Sequence, residues 1–453
     1  MSPRVAVLLT VATAGLFTAV PCASQRRTQL DSARVADLLG RLRGADSVVC
    51  QLAGNALINP WNMGNLGSID DEPLATPTPR PMPRPMPMPF AAPLAMSRPA
   101  GRIRFGGFAG WGRYDVSALG AFRAVLRDPS RCVRTVATRV LGRAQAPEAF
   151  EAFTALLHDQ SAGLRETGAL GLAELEDERA TRPLADALKD GEPAVRAAAA
   201  VGLGRLEDAT TIGALTGALD DVSPLVRRNA VWALGAIETR QVREPLARAL
   251  RDTDADVRAI AAWALGHLED STAVAPLGDA LKDRDAGVRR AAAYALGQLE
   301  SDRSVAPLTA ALKDADPDVR QTAAWALGQT ESVNAVDGLG ASLKDEDVEV
   351  RETAAWALGQ VESSAAVSAL AGALHDREVS VRVAAAWALG QIESTRGVEP
   401  LKEAMRDEVQ EVRRAAVWAL SQIDDPRAED AVRNAAEGDR IRRPRAPRVR
   451  VRP

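Results

Sequence analysis

Asp314-Ala315-Asp316-Pro317-Asp318-Val319-Arg320-Gln321-Thr322-Ala323-Ala324-Trp325-Ala326-Leu327-Gly328-Gln329 returns, with small changes, every 31 residues. Its arginine recurs as Arg134, Arg165, Arg196, Arg227, Arg258, Arg289, Arg320, Arg351, Arg382 and Arg413. Six residues before each stands an aspartate, from Asp128 through Asp314 and Asp345 to Asp407. Ten copies at a fixed period signal a solenoid, in which each unit buries its apolar face only against its neighbours. Within the stretch, Asp316 is placed to cap a helix and Pro317 takes its first position. Val319, Ala323, Ala326 and Leu327 then fall on one helical side, and Gly328 lies near the end. The cap position is Ser or Asp in seven of the ten repeats. Upstream, Val305, Leu308, Ala311 and Leu312 keep helical spacing, with Pro307 in the first turn and Lys313-Asp314 as the stop. Each repeat is therefore a pair of helices, and residues 115–437 form an all-α array. The many alanines let neighbouring helices approach closely.

The Asp, the Val-Arg pair and the Ala-Ala-Trp-Ala-Leu-Gly string resemble the HEAT repeat superfamily, most closely the short repeats of phycobilisome lyase subunits. The resemblance implies an α-solenoid of about ten 31-residue helical-hairpin, HEAT-like repeats. It also implies that Asp314, Arg320, Asp345, Arg351 and their equivalents brace the turns and bridge adjacent repeats as a structural ladder. Arg427 to Glu437 is placed as a lone first helix that caps the array.

The 453 residues are 46% hydrophobic and 4% aromatic, with a formal net charge of −4. Residues 438–453 carry seven Arg and one Asp, so the remainder is near −10. A net-acidic body argues against nucleic acid as a partner along the array. The Arg-rich tail is expected to be disordered; it either contacts an anionic surface or is simply solvated. At the other end Arg4, the apolar run 5–20 and the small residues at 22–24 read as a signal peptide over 1–24, so the mature chain is expected to be exported, periplasmic or secreted. No other run is long and apolar enough to span a membrane. Residues 25–58 carry two short helical patterns: one runs to about Leu42 with Val35, Leu38, Leu39 and Leu42 on one side, and another opens at Asp46. Residues 59–114 read as a Pro/Met/Gly-rich linker. Ten prolines lie in 73–99, which suits an extended polyproline tether. Cys50 and Cys132 either pair as a disulfide or sit as buried small hydrophobes.

Five residues past the arginine, repeats four to ten carry an aromatic: Trp232, Trp263, Tyr294, Trp325, Trp356, Trp387 and Trp418. On a helical wheel Trp325 lies nearly opposite Val319, Ala323, Ala326 and Leu327, so the core of its own repeat does not explain it. One turn on come amides, Gln298, Gln329, Gln360, Gln391 and Gln422. This pairing is similar to the Trp and Asn ladders with which armadillo proteins bind peptides. Amides both donate to and accept from an extended backbone, and indole rings form slots for side chains. The resemblance implies that second helices line the concave surface, so these residues are candidates for binding a protein or peptide partner. The other reading is that each Trp packs on an adjacent repeat.

An enzyme is the alternative class. HEAT-like deoxyhypusine hydroxylase holds iron with His-Glu motifs, and this chain has no His-Glu dipeptide. His158, His267 and His375 are scattered, and no residue specifies phycobilin lyase chemistry. No cofactor, metal or catalytic residue is assigned. The expectation is a protein-binding scaffold, with a spacer lacking any ligand as the third reading.

Overall fold

A computed structural model describes residues 32–43 and 116–442, apart from Pro147. The expected signal peptide, the second short helical pattern with Cys50, the Pro/Met/Gly-rich linker and residues 443–453 lie outside the described residues. The rest divides into two units, one ending at Ile237 and the other beginning at Glu238.

The first unit holds four helical pairs. Their second helices are Arg131–Arg143, Ala162–Leu175, Pro193–Leu206 and Pro224–Ala236. Ahead of them, Ser32–Leu42 packs on Val116–Ala124, burying Val35, Leu39 and Leu42. The second unit holds six pairs, with second helices Ala255–Gly266, Ala286–Gln298, Pro317–Gln329, Val348–Gln360, Val379–Gln391 and Gln410–Gln422. The helix Pro426–Arg442 then packs on both helices of the last repeat and buries Ala428. It covers the segment expected to cap the array and continues five residues further than the expected end at 437. Among the described residues there is no strand. The chain is an all-α solenoid.

Each repeat builds its core as the periodicity requires. In repeat seven Val305, Leu308, Val319, Ala323, Ala326 and Leu327 are all buried, and second helices pack chiefly on second helices. Capping is more selective than the composition suggests. Asp254, Asp285, Asp316 and Asp347 accept the backbone N–H three residues on, at 3.1–3.2 Å. Ser130, Ser161 and Ser223 occupy the same position without making a cap bond.

Gly328 lies near the end of its helix, as expected, next to the last residue of Pro317–Gln329. The chain reverses at Glu331, whose φ of 50° is left-handed. Glu176, Glu207, Glu238, Glu269, Glu300, Glu362 and Glu393 repeat that conformation. A left-handed non-glycine residue costs about 1 kcal/mol. The residue after it compensates in part: Asp177, Asp208, Asp270, Ser301 and Ser363 each cap the 3-10 turn that opens the next repeat.

Candidate functional site on the second-helix face

The ladder of charged residues sits at the loops between first and second helices. Arg320 donates from Nε and Nη2 to Asp345 of the next repeat, both at 2.8 Å, and from Nη1 to the backbone carbonyl of Asp314 at 3.0 Å. Arg289 holds Asp314 in the same way at 2.7 and 2.8 Å, and Arg351 holds Asp376 at 2.8 and 3.1 Å. Each aspartate also accepts a backbone N–H two residues on, as Asp314 does from Asp316 and Asp345 from Asp347, both at 2.9 Å. The arginine therefore clips its own loop to the next one, through a bidentate charge-assisted pair. Burial pushes the Asp314 and Asp345 carboxyls up. The arginine from the preceding repeat and the backbone N–H outweigh it, and both carboxyls end below the usual range. At the array's start Arg43, just past Ser32–Leu42, donates to Asp128 at 2.9 Å, so the N-terminal helix stands in for a missing preceding repeat. At the end, among the described residues, the Arg413 side chain keeps only its loop carbonyls, Asp407 and Glu408, at 2.7 and 2.8 Å. Arg165, Arg196, Arg258, Arg289, Arg320, Arg351 and Arg382 are each engaged by the aspartate of the next repeat.

The aromatic row has a partner that the wheel could not indicate. Five of the seven rings, Trp232, Trp325, Trp356, Trp387 and Trp418, reach the glycine of the preceding repeat's second helix. A methyl carbon placed on Gly328 would stand 3.0 Å from Trp356 Cζ3 and from Ala357 Cα, and one on Gly359 would stand 2.8 Å from Trp387 Cζ3. Gly204 faces Trp232, Gly297 faces Trp325 and Gly390 faces Trp418 in the same manner. Trp356 and Trp387 are only 9% and 4% exposed, so these two rings fill inter-repeat slots and offer a partner little surface. Their position opposite the core of their own repeat is real, yet a neighbouring helix closes over it. Trp232, Trp263, Tyr294, Trp325 and Trp418 keep part of their rings open. Tyr294 stacks on Trp325 with centroids 5.2 Å apart and planes 7° from parallel. Trp263 lies 4.1 Å from the ring of His267, whose Nδ1 is 3.0 Å from the Trp263 carbonyl oxygen.

The amides are more accessible than the rings. Gln298, Gln329, Gln360 and Gln391 are half-buried, and their side-chain amides form no hydrogen bond among the described residues. Gln422 is exposed and donates to Ser421 Oγ at 3.1 Å. Four successive repeats of the second unit, the sixth to the ninth, thus carry an unengaged amide, each a turn beyond an aromatic ring. Glu352 is on the same face, one turn before Trp356 and partly exposed. What the sequence reading missed is the glycine's role as the slot. Its signal was present, since the glycine recurs eight residues after most of the arginines.

Cys132 is disulfide-bonded at the start of Arg131–Arg143, while Cys50 lies outside the described residues. Among the described residues no three His, Cys, Asp or Glu side chains gather into a metal-holding group. No described helix is long and apolar enough to cross a membrane.

The family model of HEAT repeats matches residues 120–193, 181–263, 243–315, 305–380 and 371–448, which is most of the chain. The chain belongs to the HEAT-repeat family. Its HEAT array is similar in fold to importin beta crystallised in an ammonium sulfate condition, at 16% identity and a TM-score of 0.59, over 90% of this chain and 59% of that one. An engineered protein is 22% identical over 68% of this chain and 99% of its own, with a TM-score of 0.41. Human deoxyhypusine hydroxylase in complex with glycerol is 26% identical over 56% of this chain and 99% of its own, with a TM-score of 0.26. No curated protein matches the sequence. HEAT arrays commonly serve as protein-binding scaffolds, and the fold is typical of proteins without an enzymatic activity of their own.

Proposed function

We propose that this HEAT array is a non-enzymatic scaffold that holds an extended protein segment on the second-helix face of its second unit. The observation that carries the reading is the row of unengaged amides at Gln298, Gln329, Gln360 and Gln391, each one turn past an aromatic ring. An amide left in water gains little. A partner's backbone supplies it with both a donor and an acceptor. The open parts of Trp263, Tyr294 and Trp325 supply apolar contact beside the amides, whereas Trp356 and Trp387 hold the repeats in register. Binding energy is therefore assigned to the glutamines and to the more open rings.

The test uses full-length protein and a Gln298/Gln329/Gln360→Ala variant with unchanged helicity, each panned against a library of displayed extended peptides. Peptides captured by the first and lost on the second support the reading. Equal capture by both removes the glutamine face from the function. Export of the chain is proposed on the character of residues 1–24, and N-terminal sequencing of protein recovered outside the cytoplasm tests it: a start at residue 23, 24 or 25 is expected, and an intact Met1 would overturn it.

A further inference from the structure

We infer that the glutamine face has an occupant within the chain itself, the segment Pro77–Pro89. This rests on the proposed function and names its ligand. Three properties match. The first is hydrogen bonding. From Pro77 to Pro89 every second residue is proline, so thirteen carbonyls are accompanied by only six backbone N–H groups. Such a chain has acceptors in excess and cannot satisfy them in a helix or sheet. The side-chain amides of Gln298, Gln329 and Gln360 are donors with nothing to donate to among the described residues.

The second property is spacing. A polyproline chain turns once in three residues and rises about 9 Å per turn. Packed helices lie about 8–10 Å apart. One turn of the segment therefore advances by about one repeat, and an equivalent carbonyl meets each successive glutamine. Thirteen residues span about 40 Å, or about four repeats. That is the extent from Trp263 to Gln360.

The third is chemistry. Proline rings and the thioethers of Met82, Met86 and Met88 pack well on aromatic edges, and Trp263, Tyr294 and Trp325 present them. Residues 238–425 hold 21 Lys and Arg against 33 Asp and Glu, a net of −12, while Arg80 and Arg84 give the segment positive charge. Glu352 brings one of those carboxylates to the same face. Seventy-two residues separate Arg43 from Val116, which leaves the segment a long tether on both sides.

The experiment titrates a synthetic peptide of residues 73–99, read by tryptophan fluorescence, onto three proteins: the full chain, a deletion of 73–99, and that deletion carrying Gln298/Gln329/Gln360→Ala. Expected is binding to the deletion at least tenfold tighter than to the full chain, whose own segment competes. The glutamine variant is expected to lose at least tenfold. Equal affinity for the full chain and the deletion overturns the inference, as does binding that ignores the glutamines. Library peptides that still bind the deletion through its glutamines, when the 73–99 peptide does not, would overturn this inference and leave the scaffold reading standing. If nothing in the library binds through the glutamines, both fall.

Discussion

Asp345 shows how much one residue does here. Its carboxylate takes two bonds from Arg320 and one from the Asp347 backbone N–H, and its side chain is 12% exposed. Asp345→Ala takes away the partner of Nε and Nη2 of the Arg320 guanidinium, itself 9% exposed, and leaves it the loop carbonyls of Asp314 and Ala315 and the exposed Glu346 at 3.6 Å. A loss of about 2 kcal/mol is expected, below the figure for a fully buried pair because one edge stays wet. Urea unfolding measures it, and a loss under a few tenths would show that the ladder is ornamental. The same groups set the acid limit. Asp190, Asp221, Asp283, Asp314, Asp345, Asp376 and Asp407 all have carboxyls held below the ordinary value. A depressed folded-state pKa stabilises the protein above the unfolded pKa, about 3.9, and that stabilisation disappears as pH falls through the folded value. The melting temperature should therefore hold steady from pH 7 to about 5 and drop steeply below about 4. A melting temperature that falls already between pH 7 and 6 would point to other groups.

At the scale of the helix, glycine has two different roles. Gly359 lies inside Val348–Gln360, where a methyl group would meet Trp387 at 2.8 Å and Ala388 at 3.0 Å. Gly359→Ala forces two helices apart, at a cost of about 1–3 kcal/mol. Gly372 lies inside Val367–Ala373 with nothing within 4 Å of the added carbon. Gly372→Ala should raise stability by about 0.5–1 kcal/mol, through helix propensity and a less free unfolded chain. Thermal melts of the two variants should therefore move in opposite directions; movement in the same direction would remove the slot argument. The chain supports this logic at its exceptions. Repeat two has Ala173 in place of the slot glycine, and there repeat three answers with Gly202, where a methyl would meet the Ala173 Cβ at 3.3 Å. Repeat ten, followed by no further second helix, has an exposed Ser421 in the slot position.

For the molecule as a whole, the two ends carry the burden of a repeat array, since terminal units have one uncovered face. Ser32–Leu42 with Arg43 covers the start, and Pro426–Arg442 covers the last repeat. Truncation after Gln422 uncovers the apolar surface against which Ala428 is buried, so light scattering should report self-association that the full chain lacks. A truncated chain that stays monomeric would deny the helix its capping role. Cys132 adds a covalent constraint near the start, and a non-reducing digest is expected to yield a Cys50–Cys132 peptide. A digest that pairs Cys132 with Cys22 would mean instead that the leader is retained.

The sequence by itself determined the period, the two helices per repeat, the buried Val, Ala and Leu positions and the covering helix at the end. Each of those follows from local spacing: 3.6 residues per turn and 31 per repeat. Spacing also picked out the aspartates and arginines, while the tertiary structure decided that Arg320 reaches forward to Asp345 as well as back to its own loop. The tertiary structure alone decided the fate of the tryptophans. A helical wheel reports on which side of its own helix Trp356 stands. It carries no information about the helix across the gap, and that helix brings Gly328, 28 residues earlier, against the ring. The glutamines one turn on stay half-buried with unengaged amides, so the same face holds both packed rings and open hydrogen-bonding groups.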